Sequence, residues 1–166
     1  MPKTLNVLFV CTGNTCRSVM AKGLFEKMWC DSPRKNINVK VYSAGVGALE
    51  GLGASEEALE ILYEKGIDLS DHRSTMVTAT LLEKADIVFA MTTAQKDFLL
   101  DFYPQAKEKV CLLLEYAEKA NKGISDPYGR GLASYRKVAG ELKEALKKVI
   151  AKLDVIENKG TVSPQK

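Results

Sequence analysis

The stretch CTGNTCRS, residues 11–18, places two thiols, Cys11 and Cys16, and one guanidinium, Arg17, in a single short polar loop. Taken singly, a buried cysteine is a small hydrophobe and an arginine is a solvated surface group. Together at this spacing they describe a device for handling an anion. Gly13 and Asn14 tolerate left-handed backbone angles, so the chain between Cys11 and Arg17 can curl until its N–H groups point at one centre, an anion nest. Arg17 adds a fork of donors that matches two phosphate oxygens. A cysteine at the rim of such a nest is favoured as the thiolate, its nucleophilic form. Neither G-x-G-x-x-G nor G-x-x-x-x-G-K-[ST] occurs in this loop, so it does not read as a nucleotide cradle.

The flanking elements decide whether that nest can form. Residues 5–10, LNVLFV, are a continuous run of apolar and β-forming residues, as expected of a strand buried on both faces of a parallel sheet. Helical spacing follows, with Met20, Leu24, Phe25 and Met28 recurring until Asp31-Ser-Pro33 stops it. The loop therefore sits between a strand and a helix whose free N–H groups and positive dipole end face the same centre. Further along, 37–42 reads as a second strand, and a Gly-rich loop over 43–55 leads to a helix from Ser55 to Lys65 closed by Gly66. A short helix at 79–85, a strand at 86–90 and a helix capped by Thr92 or Thr93 come next. A fourth strand at 109–114, the polar segment NKGISDPYGRG and an amphipathic helix from Ser134 to Val155 complete the pattern. Strands alternating with helices predict an α/β fold of three layers, a doubly wound four-stranded parallel sheet with helices on both faces. Such sheets bind ligands at the carboxyl ends of their strands, where the anion-binding loop after the first strand would lie.

Bulk properties narrow the function classes. The 166 residues predict one domain over 1–156, with the polar ENKGTVSPQK at 157–166 as a flexible C-terminal tail. A net charge of +3, with Lys and Arg interspersed among Glu and Asp, does not point to a nucleic-acid partner. No apolar run approaches the ~18 residues of a membrane span, and MPKTLNVLFV leads into a polar loop rather than a cleavage site. No membrane partner is expected, and the cytoplasm is the expected compartment. Cysteines at 11, 16, 30 and 111 are too irregular for a disulfide framework, and His72 is the only imidazole available to a metal site. No metal and no cofactor is implied, and Cys30 and Cys111 read as core or helix-face residues.

CTGNTCRS fits the pattern C-x-G-N-x-C-R-S at every fixed position, and on that ground the chain resembles the low-molecular-weight protein tyrosine phosphatases. The resemblance extends through SAG at 43–45, DHRS at 71–74 and DP at 126–127 to the last helix. It departs after the loop, where relatives usually carry Pro and a Glu-containing helix start and this chain has Val19 and Lys22. The resemblance implies a metal-independent, cysteine-dependent phosphatase acting on phosphorylated proteins through a thiophosphate intermediate, and a monomer. It assigns attack to Cys11, charge clamping to Arg17 and acid–base work to Asp126 of SDPYGRG. Thr12, Gly13, Asn14, Thr15, Cys16 and Ser18 complete the phosphate site, Ser43 and His72 brace it, and Leu49 and Tyr128 form the substrate-pocket wall. Cys16 matches a second loop cysteine that in relatives traps an oxidised nucleophile as a disulfide. Without the resemblance, Asp126 reads equally as a turn cap and His72 as a surface turn residue.

Thr15 bears on the substrate. Tyrosine-directed relatives usually carry an apolar residue there, whereas threonine resembles the protein arginine phosphatase branch. A hydroxyl at the pocket wall is unsuited to a phenyl ring and suited to a guanidinium, with which Asp126 could also pair. Phosphoarginine is therefore the expected substrate and phosphotyrosine the alternative. An arsenate reductase is disfavoured by the absence of a relay cysteine pair in residues 71–100, and a non-catalytic phosphate-binding module is the remaining reading.

Overall fold

The computed structural model describes residues 3–31 and 36–157. Four strands, β1 (Lys3–Cys11), β2 (Ile37–Gly45), β3 (Ile87–Ala90) and β4 (Val110–Leu112), form one parallel sheet in the order β2-β1-β3-β4. Six α-helices among the described residues surround it: α1 (Arg17–Asp31), α2 (Glu56–Glu64), α3 (Ala79–Lys84), α4 (Thr93–Phe102), α5 (Leu113–Glu118) and α6 (Leu132–Glu157). The expected three-layer α/β architecture is present, because β1 is buried on both faces. Leu5, Val7 and Phe9 pack into a cluster with Phe25, Ile61, Leu142 and Leu146 from the α1, α2 and α6 side. Leu8 and Val10 face the opposite cluster, with Leu82 from α3 and Leu99 from α4. Alternation along one strand thus builds both cores.

The register fixes where the loop lies. Phe9, Val10 and Cys11 pair with Ser43, Ala44 and Gly45, and Val10 also pairs with Ala90. Cys11, Gly45 and Ala90 therefore end together at the carboxyl end of the sheet, and the chain leaves β1 through α1 on one face and β3 through α4 on the other, the switch point at which open α/β sheets bind ligands. Gly45 is required there, since a Cβ at that position would collide with the Thr12 carbonyl oxygen.

Two expectations need correction. The run KVCLLL at 109–114 is not one strand: only Val110–Leu112 pair with β3, and Leu113 opens α5. Its apolar continuity arises because a buried strand passes directly into a buried helical turn, Leu113 and Leu114 both being core residues, and periodicity cannot separate the two. The second strand runs to Gly45 rather than residue 42, because Ser43–Gly45 continue the ladder with β1. Helix boundaries follow their caps. Ser55 accepts from Ala58 N–H before α2, and Thr92 and Gln95 form a reciprocal capping box before α4. Of the expected tail, Glu157 is the last residue of α6, and 158–166 lie outside the described residues. No helix among the described residues is long and apolar enough to cross a membrane.

Candidate active site

Asn14 organises the loop. It is fully buried and adopts φ 56°, the left-handed conformation that asparagine tolerates better than most residues. Its Oδ1 accepts from Thr75 N–H at 2.9 Å, so its amide orientation is determined, and Nδ2 donates to Ser18 Oγ at 2.8 Å and Ser43 Oγ at 3.0 Å. His72 Nε2 lies 2.8 Å from the Asn14 carbonyl oxygen. That oxygen can only accept, so the proton sits on Nε2. Ser43 and His72 thus meet Asn14 from β2 and the 71–75 segment, and Thr75 joins them although its residue type gave no signal.

The Cys11 sulfur receives the result of this bracing. Asn14 N–H donates to Sγ at 3.3 Å, and Ser18 Oγ lies 2.9 Å from it. Ser18 Oγ accepts from Asn14 Nδ2 and keeps its own proton, which it can donate to the sulfur when that carries no hydrogen. Two polar groups therefore converge on Cys11. Arg17, buried at the start of α1, donates from Nη1 to Ile124 O at 3.0 Å and places Nη2 3.7 Å from Asp126 Oδ2. Asp126 is exposed and also accepts from Tyr128 N–H on Oδ1, an Asx turn, so capping and proximity to Arg17 coexist in one side chain.

Cys11, Arg17 and Asp126 line one cleft of ≈ 470 Å³, to which the loop also contributes Thr12, Gly13, Thr15 and Cys16. One wall carries Leu49, Leu52 and Ser55, and the other Asp126 and Tyr128. Leu49 and Tyr128 are 70% and 71% exposed, so they stand at the mouth rather than in the core. The Leu49 wall is pinned by Ser74, which sequence reasoning did not single out. Its hydroxyl donates to Leu49 O and accepts from Leu52 N–H, while its backbone bonds Leu52 O and Gly51 N–H. Cys16 faces away from solvent, with Sγ 3.1 Å from Tyr135 OH and donating to Ser55 Oγ at 3.5 Å. Burial and the Cys16 contact push the Tyr135 phenol up.

The remaining cysteines are elsewhere: Cys30 is exposed on α1, and burial pushes the Cys111 thiol up to about 12. Among the described residues no three His, Cys, Asp or Glu side chains group to hold a metal ion. What the cleft offers is a thiol, a buried guanidinium and a carboxyl opposite, groups of the kinds that attack on a phosphoryl group, charge stabilisation and proton transfer require.

Burial lowers the His72 pKa, outweighing the Asn14 carbonyl, which favours the protonated ring, and the Lys22 and Arg73 charges act in the same direction as burial. The unfolded chain therefore binds this proton more readily than the folded one. The His72 contribution is fully present above the unfolded value of ~6.5 and is lost as pH falls through the lower folded value. Urea midpoints taken from about pH 7 to about pH 5 are expected to fall more steeply for the wild type than for His72→Gln. Parallel slopes would show that His72 does not titrate with folding.

Such a fold, with an anion loop between β1 and α1, defines a phosphate-handling α/β protein, and the chain belongs to the low molecular weight phosphotyrosine protein phosphatase family, whose model matches residues 6–159. It is 38% identical over 149 residues to a protein-arginine-phosphatase of Bacillus subtilis (strain 168), a match covering 90% of this chain and 97% of that one. A solved structure of the YwlE arginine phosphatase, a cysteine-to-serine mutant with a phosphorylated active site serine, superposes with a TM-score of 0.86 at 37% identity, covering 90% of this chain and 96% of that one. A low molecular weight protein tyrosine phosphatase from T. tengcongensis superposes with a TM-score of 0.81 at 43% identity, covering 89% and 99% of the two chains. The chain is a protein phosphatase of this cysteine-dependent family.

Proposed function

We propose that this phosphatase hydrolyses phosphoarginine in proteins, with Cys11 as nucleophile, Arg17 as charge clamp and Asp126 as acid and then base. In the first step the Cys11 sulfur attacks phosphorus, the P–N bond to the arginine breaks, and Asp126 gives its proton to the leaving nitrogen. In the second, Asp126 takes a proton from water as the water oxygen attacks phosphorus. The S–P bond breaks, releasing inorganic phosphate and restoring the thiolate. Throughout, Arg17 and the loop N–H groups hold the equatorial oxygens, where charge is greatest.

The observation that carries the mechanism is the convergence of Asn14 N–H and Ser18 Oγ on the Cys11 sulfur in the cleft shared with Arg17 and Asp126. The substrate assignment rests on Thr15, half-buried in that cleft, and is supported by likeness to the Bacillus subtilis protein-arginine-phosphatase. Phosphotyrosine is the second reading, favoured by the apolar Leu49, Leu52 and Tyr128 at the mouth and by likeness to the T. tengcongensis enzyme. Steady-state kinetics on matched phosphoarginine and phosphotyrosine peptides separate the two. The wild type is expected to prefer phosphoarginine, and Thr15→Ile to lower kcat/KM for it by about tenfold to a hundredfold while sparing phosphotyrosine. An unchanged preference in Thr15→Ile would remove Thr15 from the account of specificity.

A further inference from the structure

The crevice between β1 and β3 is bridged by one side chain to which the proposed chemistry gives no role. Gln95 lies in the first turn of α4 and is only 3% exposed. Its Oε1 accepts the N–H groups of Met91 and Thr92, each at 3.0 Å. Both partners are donors, so the amide cannot be turned over, and Nε2 must face the opposite way. There it donates to Thr12 Oγ1 at 3.0 Å. Thr12 is the residue after Cys11 and lines the cleft. Its carbonyl is separately engaged by Gly47 N–H, so the Gln95 contact concerns the hydroxyl alone. A hydroxyl that accepts from an amide retains its own proton, and accepting polarises that O–H bond toward the next acceptor.

We infer that Gln95 is a positioning residue for the phosphatase reaction, holding the Thr12 hydroxyl as a hydrogen-bond donor to the phosphoryl group over Cys11. The inference rests on the proposed assignment of Cys11. A capping role alone accounts for Oε1, which serves the start of α4, but not for Nε2, which reaches out of that helix to the phosphate loop. Gln95 thus joins the two strands flanking the switch point through the Thr12 side chain, which can add a donor without moving the backbone.

A double-mutant cycle tests this with p-nitrophenyl phosphate as substrate, comparing wild type, Thr12→Val, Gln95→Met and the double variant. Each single variant is expected to lower kcat/KM by about tenfold to a hundredfold, the scale of a hydrogen bond to a charged group. On a Thr12→Val background Gln95→Met is expected to cost no further activity, while it still lowers Tm there, because the cap on the Met91 and Thr92 N–H groups is lost in either background. Equal activity losses from Gln95→Met in both backgrounds, or unaltered kcat/KM in either single variant, would overturn the inference. Should Gln95→Met not fold, Gln95→Glu keeps an oxygen on both N–H groups and serves in the same cycle. Its loss is expected to be smaller on Thr12→Val, and an equal loss would count against the relay. Cys11→Ser run alongside separates the two levels, since turnover surviving in that variant removes the nucleophile assignment itself, whereas an additive cycle with Cys11→Ser inactive removes only the role of Gln95.

Discussion

Replacing Cys11 by serine is expected to lower turnover of p-nitrophenyl phosphate by at least about 10⁴-fold, while the thermal midpoint stays close to that of the wild type. The loop is built by Asn14, whose partners Thr75, Ser18, Ser43 and His72 are untouched by the change. A serine hydroxyl would occupy the same pocket and meet the same two groups, Asn14 N–H and Ser18 Oγ. What is lost is the nucleophile, because sulfur attacks far more readily than a serine hydroxyl that has no adjacent base. Loss of activity without loss of fold would separate chemistry from architecture. Turnover within tenfold of the wild type would place the nucleophile elsewhere.

Asp126→Asn is expected to slow kcat by about 10² to 10⁴ on substrates with poor leaving groups, and by less on those whose leaving group departs without a proton. The amide retains the size of the carboxyl and an oxygen able to accept from Tyr128 N–H, so the turn persists. It cannot donate a proton and then take one back. Its removal also leaves Arg17 without the charge 3.7 Å away, but Arg17 Nη1 remains tied to Ile124 O and the guanidinium keeps its place. Leaving-group dependence checks this by comparing a series of aryl phosphates. A uniform loss across the series would mean that Asp126 acts only by holding Arg17, not by transferring a proton.

Much of this site was legible in CTGNTCRS because its spacing states a geometry. A strand that ends in Cys11, a left-handed residue at Asn14 and a helix beginning at Arg17 leave little freedom for where the thiol and guanidinium point. The sheet was equally legible, since β1 from Val7 to Cys11 is an unbroken apolar run and is buried on both faces as such a run requires. Less could be read where two elements share one apolar run, as at Leu112–Leu113, where strand becomes helix without a polar break. The bracing residues were harder. Ser74 pins the Leu49 wall and Tyr135 meets Cys16 across 119 residues of sequence, contacts that no local pattern encodes. Gln95 did leave a trace in the T-x-x-Q capping box at 92–95. That pattern accounts for its oxygen but gives no sign that its nitrogen reaches Thr12, because the reach depends on β1 and β3 being neighbours in the sheet.

The central claim is a covalent phosphate on Cys11, formed with the help of Arg17 and discharged with the help of Asp126. The most direct measurement is intact-mass and peptide mapping of Asp126→Asn, quenched in acid within the first turnover of p-nitrophenyl phosphate. This leaving group departs without protonation, whereas discharge by water still needs the base, so the intermediate accumulates. The account predicts one phosphate per chain, located on Cys11 through sulfur, absent from Cys11→Ala/Asp126→Asn at the same quench time. Stoichiometric release of nitrophenol with no phosphate on the protein, or with the phosphate on another residue, would contradict it.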